Sequence, residues 1–296
     1  MIHVPVLPKE VLENLDPRQN ENFVDGTVGH GGHAKLILEK TGPEGKLLGI
    51  DQDPKQIEIC REQLKGFKER VTLANGSYIN LKKITEDNNF KPVNGILLDL
   101  GMSSWHLEES GRGFSFLKSE PLDMRYNPND ELETAEEIVN RWNEDDLESI
   151  LREYGEERFS RMIARRIVEE RKVARITDTL QLIEVVKRAM PKRFQGGRIN
   201  PATRTFQALR IQVNQELENL KMVLPEAIQI LAPQGRLVVI SFHSLEDRIV
   251  KNFFRERAKE GGIKIITKKP LIASIEEQSQ NPRSRSAKLR AVIKNN

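Results

Sequence analysis

The chain has 296 residues, 38% of them apolar, a formal net charge of +3 and a mean hydropathy of −0.53. That is enough apolar sequence for one large core or two smaller ones, and no stretch is long enough to cross a bilayer, so a helical membrane protein is excluded and a soluble one expected. One cysteine, Cys60, excludes an internal disulfide, and the opening Met-Ile-His-Val-Pro-Val has neither a basic n-region nor an apolar h-region, which predicts a cytoplasmic location.

In chain order, Asn22-Phe-Val-Asp-Gly-Thr-Val-Gly-His-Gly-Gly-His33 reads as a short buried strand, a glycine-rich turn and the start of a helix, with Asp25 at the strand's carboxyl end. Glycines at 26, 29, 31 and 32 let the backbone turn tightly and approach a ligand where a Cβ would collide. Lys46-Leu-Leu-Gly-Ile50 is a second apolar run. It ends in Asp51, 26 residues after the first acid, where a carboxylate can accept hydrogen bonds from ribose hydroxyls. Asp53-Pro54 then predicts an N-cap and first-turn proline, followed by Ile57, Cys60, Leu64 and Phe67 as the helix's buried stripe. Cys60 on that stripe is core, not nucleophile.

Val71 to Tyr78 predicts a third strand and turn, and Val93 to Gly101 a fourth, with Asp99 at its tip. In a parallel β-α-β sheet these strand ends place Asp25, Asp51, Tyr78 and Asp99 along one edge, where a single cofactor can meet them all. Two cofactor classes use that geometry, nicotinamide dinucleotides and S-adenosylmethionine. The glycine order here is closer to the D-x-G-x-G-x-G of methyltransferases, with Thr27 in place of the first glycine, than to G-x-G-x-x-G.

After Ser104 roughly a hundred residues lack a strand signal. A loop from Trp105 to Pro128 leads into helices expected over Glu144 to Tyr154, Glu156 to Lys172 and Thr177 to Met190. The middle one carries Phe159, Ile163 and Ile167 at core spacing, with Arg158, Arg161, Arg165 and Arg166 around the rest. Pro191-Lys-Arg-Phe-Gln-Gly-Gly-Arg198 adds cations and glycines suited to phosphate contacts. Asn200-Pro201 is expected to cap a helix with the stripe Phe206, Leu209, Val213, Leu217 and Leu220. Leu231 to Phe242 reads as a helix end, a Pro/Gly turn and a fifth strand with His243 directly after it. Ile263 to Thr267 and Leu289 to Ile293 predict a terminal antiparallel pair, which dinucleotide dehydrogenases usually lack. His3, His30 and His33 show no metal-ligand spacing, so no metal site is expected.

Eight segments then carry a resemblance: His3-Val-Pro-Val-Leu7, Asp25-Gly-Thr-Val-Gly-His-Gly-Gly-His33, Leu98-Asp-Leu-Gly-Met-Ser-Ser104, Gly111-Arg-Gly-Phe-Ser-Phe116, Pro121-Leu-Asp-Met-Arg125, Asn200-Pro-Ala-Thr-Arg204, Phe242-His-Ser-Leu-Glu-Asp-Arg-Ile-Val-Lys251 and Asn281-Pro-Arg-Ser-Arg-Ser-Ala-Lys288. Together, in this order, they resemble the bacterial 16S rRNA cytosine-N4 methyltransferase (MraW) family. The resemblance implies a Rossmann-like class I methyltransferase sheet, α/β and mostly parallel, built from residues 1–104 and 205–296, with a helical RNA-recognition domain inserted at 105–204. It implies S-adenosylmethionine as donor, a decoding-centre cytosine of the small ribosomal subunit as acceptor, and rRNA methylation as the activity; dimerisation is left open. The family's cofactor contacts fall on Gly31, Gly32, His33, Asp51, Tyr78, Asp99 and His106.

The exocyclic amine of cytosine is a poor nucleophile because its lone pair is delocalised into the ring. An acceptor for its N–H and in-line positioning are therefore needed. Asp99 is the first choice, with Ser103 beside it and His243 as a second proton acceptor or, nearly as well, a helix cap. DNA cytosine-N4 methyltransferases carry S-P-P-[YW] or D-P-P-Y at this strand end, where this chain has Asp-Leu-Gly-Met, so the acceptor's identity stays open. Trp105, Phe114, Phe116 and Tyr126 are candidates to stack on a flipped base. Arg112, Arg165, Arg166, Arg198, Arg204, Arg283, Arg285 and Lys288 are candidate backbone clamps. An NAD-linked oxidoreductase and a non-catalytic RNA-binding assembly factor are the rival readings.

Overall fold

The structure, a computed structural model, describes residues 4–195 and 200–296. His3 and Arg198 therefore lie outside the described residues. The chain divides into two compact units, one made of residues 1–101 and 217–296 and the other of residues 102–216.

The first unit opens with α1 (Pro8–Leu15) and β1 (Phe23–Asp25), then α2 (Gly32–Thr41), β2 (Leu47–Asp51), α3 (Pro54–Gln63), β3 (Val71–Asn75), α4 (Leu81–Asp87) and β4 (Val93–Asp99). The second unit contains α5 (Ser104–Glu108), α6 (Ala135–Arg141), α7 (Glu144–Glu153), α8 (Ser160–Glu170), α9 (Thr179–Ala189) and α10 (Thr203–Asn214). The chain returns to the first unit through α11 (Glu216–Ile230) and finishes with β5 (Leu231–Ser241), α12 (Ser244–Lys259), β6 (Ile263–Ile265), α13 (Ile275–Gln280) and β7 (Lys288–Lys294).

The seven strands form one sheet in the order β3-β2-β1-β4-β5-β7-β6. β3, β2, β1, β4 and β5 run parallel to their neighbours, and β7 is antiparallel to both β5 and β6. The central strands are continuous short apolar runs, buried over most of their length because helices cover both faces, and polar residues sit mainly at their ends. Along β4, Leu97 faces one cluster with Phe23, Leu38 and Ile57, while Ile96 and Leu98 face the other with Leu220, Leu224 and Phe254. β5 alternates in the same way, Val238 and Ile240 to the first side and Leu237 and Val239 to the second. Reversing one of these fully buried side chains to alanine, Leu97→Ala for example, costs about 2–5 kcal/mol.

α3 starts as the sequence predicts, with the Asp53 carboxylate accepting from the Lys55 N–H at 2.9 Å ahead of Pro54. Cys60 is fully buried and its thiol is pushed up to about 12, mainly by that burial, in keeping with a core residue. Four local expectations are corrected. β5 starts earlier than the Pro/Gly turn suggests: Leu231 already pairs with Val93, and the register then jumps so that Gly95 pairs with Arg236, leaving Ala232–Gly235 as a bulge. The helix expected from Glu156 starts only at Ser160, because Glu156 has a left-handed φ of 48° and the buried Glu157 carboxylate accepts the Phe159 N–H at 2.9 Å. Finally, the stripe from Phe206 to Leu220 is two helices. Gln215 at φ 51° ends α10, so Phe206, Leu209 and Val213 join the core of the helical unit while Leu220 packs under the sheet. Asn200 does not cap α10 either; its side chain accepts from the Ala202 N–H at 2.9 Å, one turn before the helix begins.

The helical unit has its own core, built from Leu122, Met124, Leu147, Leu151, Ile163, Ile167, Leu182, Val186 and Leu209 among others. α6 carries a full capping box between Thr134 and Glu137, and α7 and α9 are capped by Asn143 and Asp178. Those helix starts are fixed by their own side chains, whereas α8 and α10 begin without a side-chain cap.

Candidate active site

The site is assembled at the carboxyl ends of β1, β2 and β4. Past Asp25 the chain is tied into the sheet on both sides: Gly26 N–H donates to the Leu97 carbonyl and Val28 N–H to the Ile50 carbonyl, each at 2.9 Å. Gly31 then takes a left-handed φ of 83°, and a Cβ there would sit 3.0 Å from Cys60 Sγ and 3.2 Å from Leu64. Only glycine fits both constraints. α2 follows with Gly31 as its N-cap and no side chain closing it, so the Gly32 and His33 end of the helix presents backbone N–H groups.

Asp51 anchors the far side of this loop. Its carboxylate accepts from Gly29 N–H at 3.0 Å and from Asp53 N–H at 2.9 Å, which fixes the loop against the tip of β2. Gly76 N–H donates to the Asp51 carbonyl at 2.9 Å, which sets the turn leading to the half-buried Tyr78. The Tyr78 Cβ is also close to Gly26, about where a Cβ on that glycine would be in ordinary contact at 3.6 Å.

Asp99 ends β4. Its N–H donates to Thr27 Oγ1 at 2.7 Å, and its carboxylate accepts weakly from Gly101 N–H at 3.3 Å. The buried imidazole of His33 brings Nε2 to 3.7 Å from Asp99 Oδ2. Burial, reinforced by the charge of Glu246, pushes the Asp99 carboxyl up to about 7 against the Gly101 hydrogen bond. Asp25, 1% exposed, is likewise pushed up to about 7, first by burial and then by Asp99 and Asp51, while the Thr27 N–H at 3.1 Å works the other way. The expected set Gly31, Gly32, His33, Asp51, Tyr78 and Asp99 is therefore brought together on one sheet edge.

Ser103 and His106 belong to the helical unit. Ser103 caps α5, accepting the His106 N–H at 3.3 Å, and its hydroxyl lies 2.9 Å from His106 Nδ1. The His106 ring is 5% exposed and packs at 5.1 Å against both Phe114 and Tyr126. Phe114 stacks on Tyr126 at 5.3 Å, and Phe116 meets Phe206 edge-on at 5.8 Å. Phe114 and Phe116 are thus anchors that hold their own loop down.

His243 caps α12. Its Nδ1 accepts the Glu246 N–H at 3.4 Å, and its Nε2 lies 3.2 Å from Glu246 Oε1. The buried Glu246 carboxylate in turn accepts the N–H groups of Phe242 and His243 at 2.7 and 3.2 Å. The tip of β5 is pinned by this reciprocal pair. Among the expected clamps, Arg112 is 8% exposed, donates to the carbonyls of Arg125 and Tyr126 and lies over the Trp105 ring at 4.9 Å. It staples the loop internally.

Two residues escaped the sequence reading. Thr27 occupies the position where methyltransferase loops carry a glycine, and its hydroxyl joins β1 to β4. Glu246 was foreshadowed by its spacing, three residues after the cap, the spacing of a capping box.

The strand order, the antiparallel β7 and the glycine loop above a row of strand-tip acids define a class I methyltransferase. The Asp25 and Asp99 carboxyls, raised to about 7, suit a cationic ligand, and a helix start without a side-chain cap behind close-packed glycines suits that ligand's own carboxylate. Both fit S-adenosylmethionine, the cofactor of this class. The chain belongs to the MraW methylase family, whose model matches residues 1–295. It is 48% identical to the ribosomal RNA small subunit methyltransferase H of Heliobacterium mobile over 310 aligned positions, covering 99% of this chain and 98% of that one. It is also 48% identical to the protein of the same name from Geobacter sulfurreducens, again covering 99% and 98%. A solved rRNA methylase from Streptococcus thermophilus overlaps with a TM-score of 0.44 at 9% identity, covering 98% of this chain and 94% of that one.

Proposed function

We propose that the chain methylates the exocyclic N4 amine of a decoding-centre cytosine in 16S rRNA of the small ribosomal subunit, with residues 102–216 serving to recognise the RNA. The observation that carries the chemistry is Asp99: a carboxyl at the tip of β4 whose environment raises it to about 7 and whose backbone is locked by Thr27.

S-adenosylmethionine supplies an electrophilic methyl group. Bound there, it would give up its methyl group to N4 and keep the bond's electron pair on sulfur, and the amine would lose one proton. In this reading Asp99 accepts the amine N–H, localising electron density on nitrogen, and a carboxyl near 7 takes that proton close to neutral pH. Asp51 meets the ribose hydroxyls, and Gly31, Gly32 and His33 receive the methionine end. Tyr78 offers a flat wall to the adenine. Ser103 holds His106 in its aromatic nest and is the hydroxyl expected to assist Asp99, while the family resemblance assigns His106 to the cofactor. His243, already engaged by Glu246, acts as a positioning residue for the tip of β5.

The test is to map methylation at single-nucleotide resolution on small-subunit rRNA from cells with and without the protein, and to repeat it with purified subunits and labelled donor. A single cytosine whose N4 methyl disappears with the gene and returns in the purified reaction supports the proposal. Methylation at a carbon, at a sugar hydroxyl or on another RNA overturns it.

A further inference from the structure

The arginines of the helical unit fall into two groups. Arg165 pairs with Glu169 at 3.3 Å, Arg166 with Glu169 and Glu170 at 3.5 and 3.6 Å, and Arg188 with Glu170 at 3.6 Å. Those pairs are what a solvated helix face needs. Arg158, Arg161, Lys192 and Arg193 differ: all four are exposed, and among the described residues none has a carboxylate within ion-pair distance.

Arg158 and Arg193 are held instead by aromatic rings. The Arg158 guanidinium lies 3.9 Å from the centroid of Phe194 and 4.5 Å from that of Phe159, and Arg193 lies 4.9 Å from Phe194. The two rings pack on each other at 5.2 Å and on the core of the helical unit, so they form a fixed floor under the cations. A guanidinium stacked on a ring gives one face to it and keeps its N–H edge directed at solvent, pre-organised for bidentate contact with phosphate oxygens. Arg161 lies three residues on, in the first turn of α8, and Lys192 is next to Arg193. Of the two acids adjoining Arg158 in sequence, Glu157 is buried and its carboxylate is taken by the Phe159 N–H, while Glu156 is exposed.

We infer that Arg158, Arg161, Lys192 and Arg193, seated on Phe159 and Phe194, form a docking surface for the sugar-phosphate backbone of the RNA substrate. The inference rests on the rRNA-methyltransferase reading above for its choice of RNA as the polyanion. It adds to the clamp residues that sequence alone suggested, of which Arg112 is internal and Arg165 and Arg166 are paired.

The test compares wild type, Arg158→Ala/Arg193→Ala and the control Arg165→Ala/Arg166→Ala. Methylation of small subunits is measured at several salt concentrations, with binding of a radiolabelled rRNA fragment alongside. The first variant should raise the KM for the subunit on the order of tenfold and leave kcat at saturation, S-adenosylmethionine affinity and the thermal midpoint unchanged. Its plot of log binding constant against log salt should flatten by about 1 to 2 in slope, as expected for one or two lost phosphate contacts, while the control moves little. Unchanged KM and salt slope, or equal loss in the control, overturns the docking surface while methylation by wild type leaves the functional reading standing. Should wild type methylate no subunit, the RNA-fragment binding still decides. Loss confined to the first variant then supports a polyanion site on a protein of different substrate. If that variant instead loses binding to anionic phospholipid vesicles and keeps RNA binding, the surface belongs to a membrane and the inference fails.

Discussion

The strand-tip rim of the sheet unit and the Phe159–Phe194 face of the helical unit both concentrate charge, but in opposite settings. At the rim, the buried Asp25 and the half-buried Asp99 are each tied to a backbone N–H group and raised to about 7. On the helical face, cations are exposed and rest on rings. Buried charge is costly to leave without compensation and is therefore sensitive to single changes, whereas exposed charge contributes little until a ligand arrives. The rim should accordingly show itself in stability and chemistry, and the helical face only in binding to RNA.

The largest expected effect is at Asp99. Asp99→Ala should lower kcat by about 10²–10³-fold, the scale for removing one electrostatic partner of a transition state. Far-ultraviolet circular dichroism should be unchanged, since the Asp99 N–H to Thr27 bond is made by the backbone. Undiminished single-turnover rates in the folded variant would remove Asp99 from the chemistry and place the decisive group elsewhere. Thr27→Val comes next. It preserves shape and removes the hydroxyl that accepts from Asp99 N–H, so that donor is left unpaired at a cost of about 1–3 kcal/mol. A drop in unfolding free energy of that size, measured in urea with the m-value unchanged, would show that the bridge between β1 and β4 is a structural device of this loop.

How much of this was legible differs between the two regions for physical reasons. β1, β2 and β4 were readable to within a residue or two because a sheet covered on both faces demands short continuous apolar runs, and each run ends in an acid that no buried strand tolerates in its middle. Gly31 was readable because its left-handed turn and its close approach to Cys60 both exclude a side chain. Thr27 was not, since its partner lies 72 residues away on another strand. The break at Gln215 was hidden for a related reason. Phe206 to Leu220 keeps helical spacing across it, and only the burial of the two halves in different cores shows the interruption. Arg112 looked like surface because a lone arginine in a polar loop usually is, and its two carbonyl partners follow it by 13 and 14 residues. His243 was read as either acid-base catalyst or cap, and the capping geometry is present.

A third prediction uses pH to separate the regions. Asp25 and Asp99 have folded values of about 7 against an ordinary value of 3.8, so between those limits the folded state holds protons that the unfolded chain has released. Their contribution is fully present below about 4 and is lost as pH rises through 7, so stability of the cofactor-free protein should fall across that window and level off above it. The groups facing Asp25 are Asp51, Asp99 and Thr27, and those facing Asp99 include Glu246 and His33. Asp25→Asn should flatten the dependence by removing one of the two titrating protons outright. A thermal midpoint that rises from pH 5 to pH 7.5 in wild type would contradict the picture of a proton-sharing rim. S-adenosylmethionine is cationic and should bind more tightly as the rim ionises, releasing protons on binding.

The smallest effect is expected where charge is most visible. Arg165→Ala removes a cation whose side chain is 71% exposed and which already has Glu169 at 3.3 Å. An exposed i,i+4 pair contributes about 0.3–0.5 kcal/mol, so the thermal midpoint should shift by a degree or two at most. RNA affinity should move still less, because the arginine is partly neutralised by Glu169 and has no aromatic floor to orient it. A change in the subunit KM as large as that of Arg158→Ala/Arg193→Ala would mean that net positive charge on α8, and not the geometry around Phe194, is what RNA senses. Near-identity with wild type would instead localise recognition to the two guanidinium groups held in place by rings, as the difference between buried rim and exposed face implies: in water a charge matters to a partner to the extent that something else has already fixed its direction.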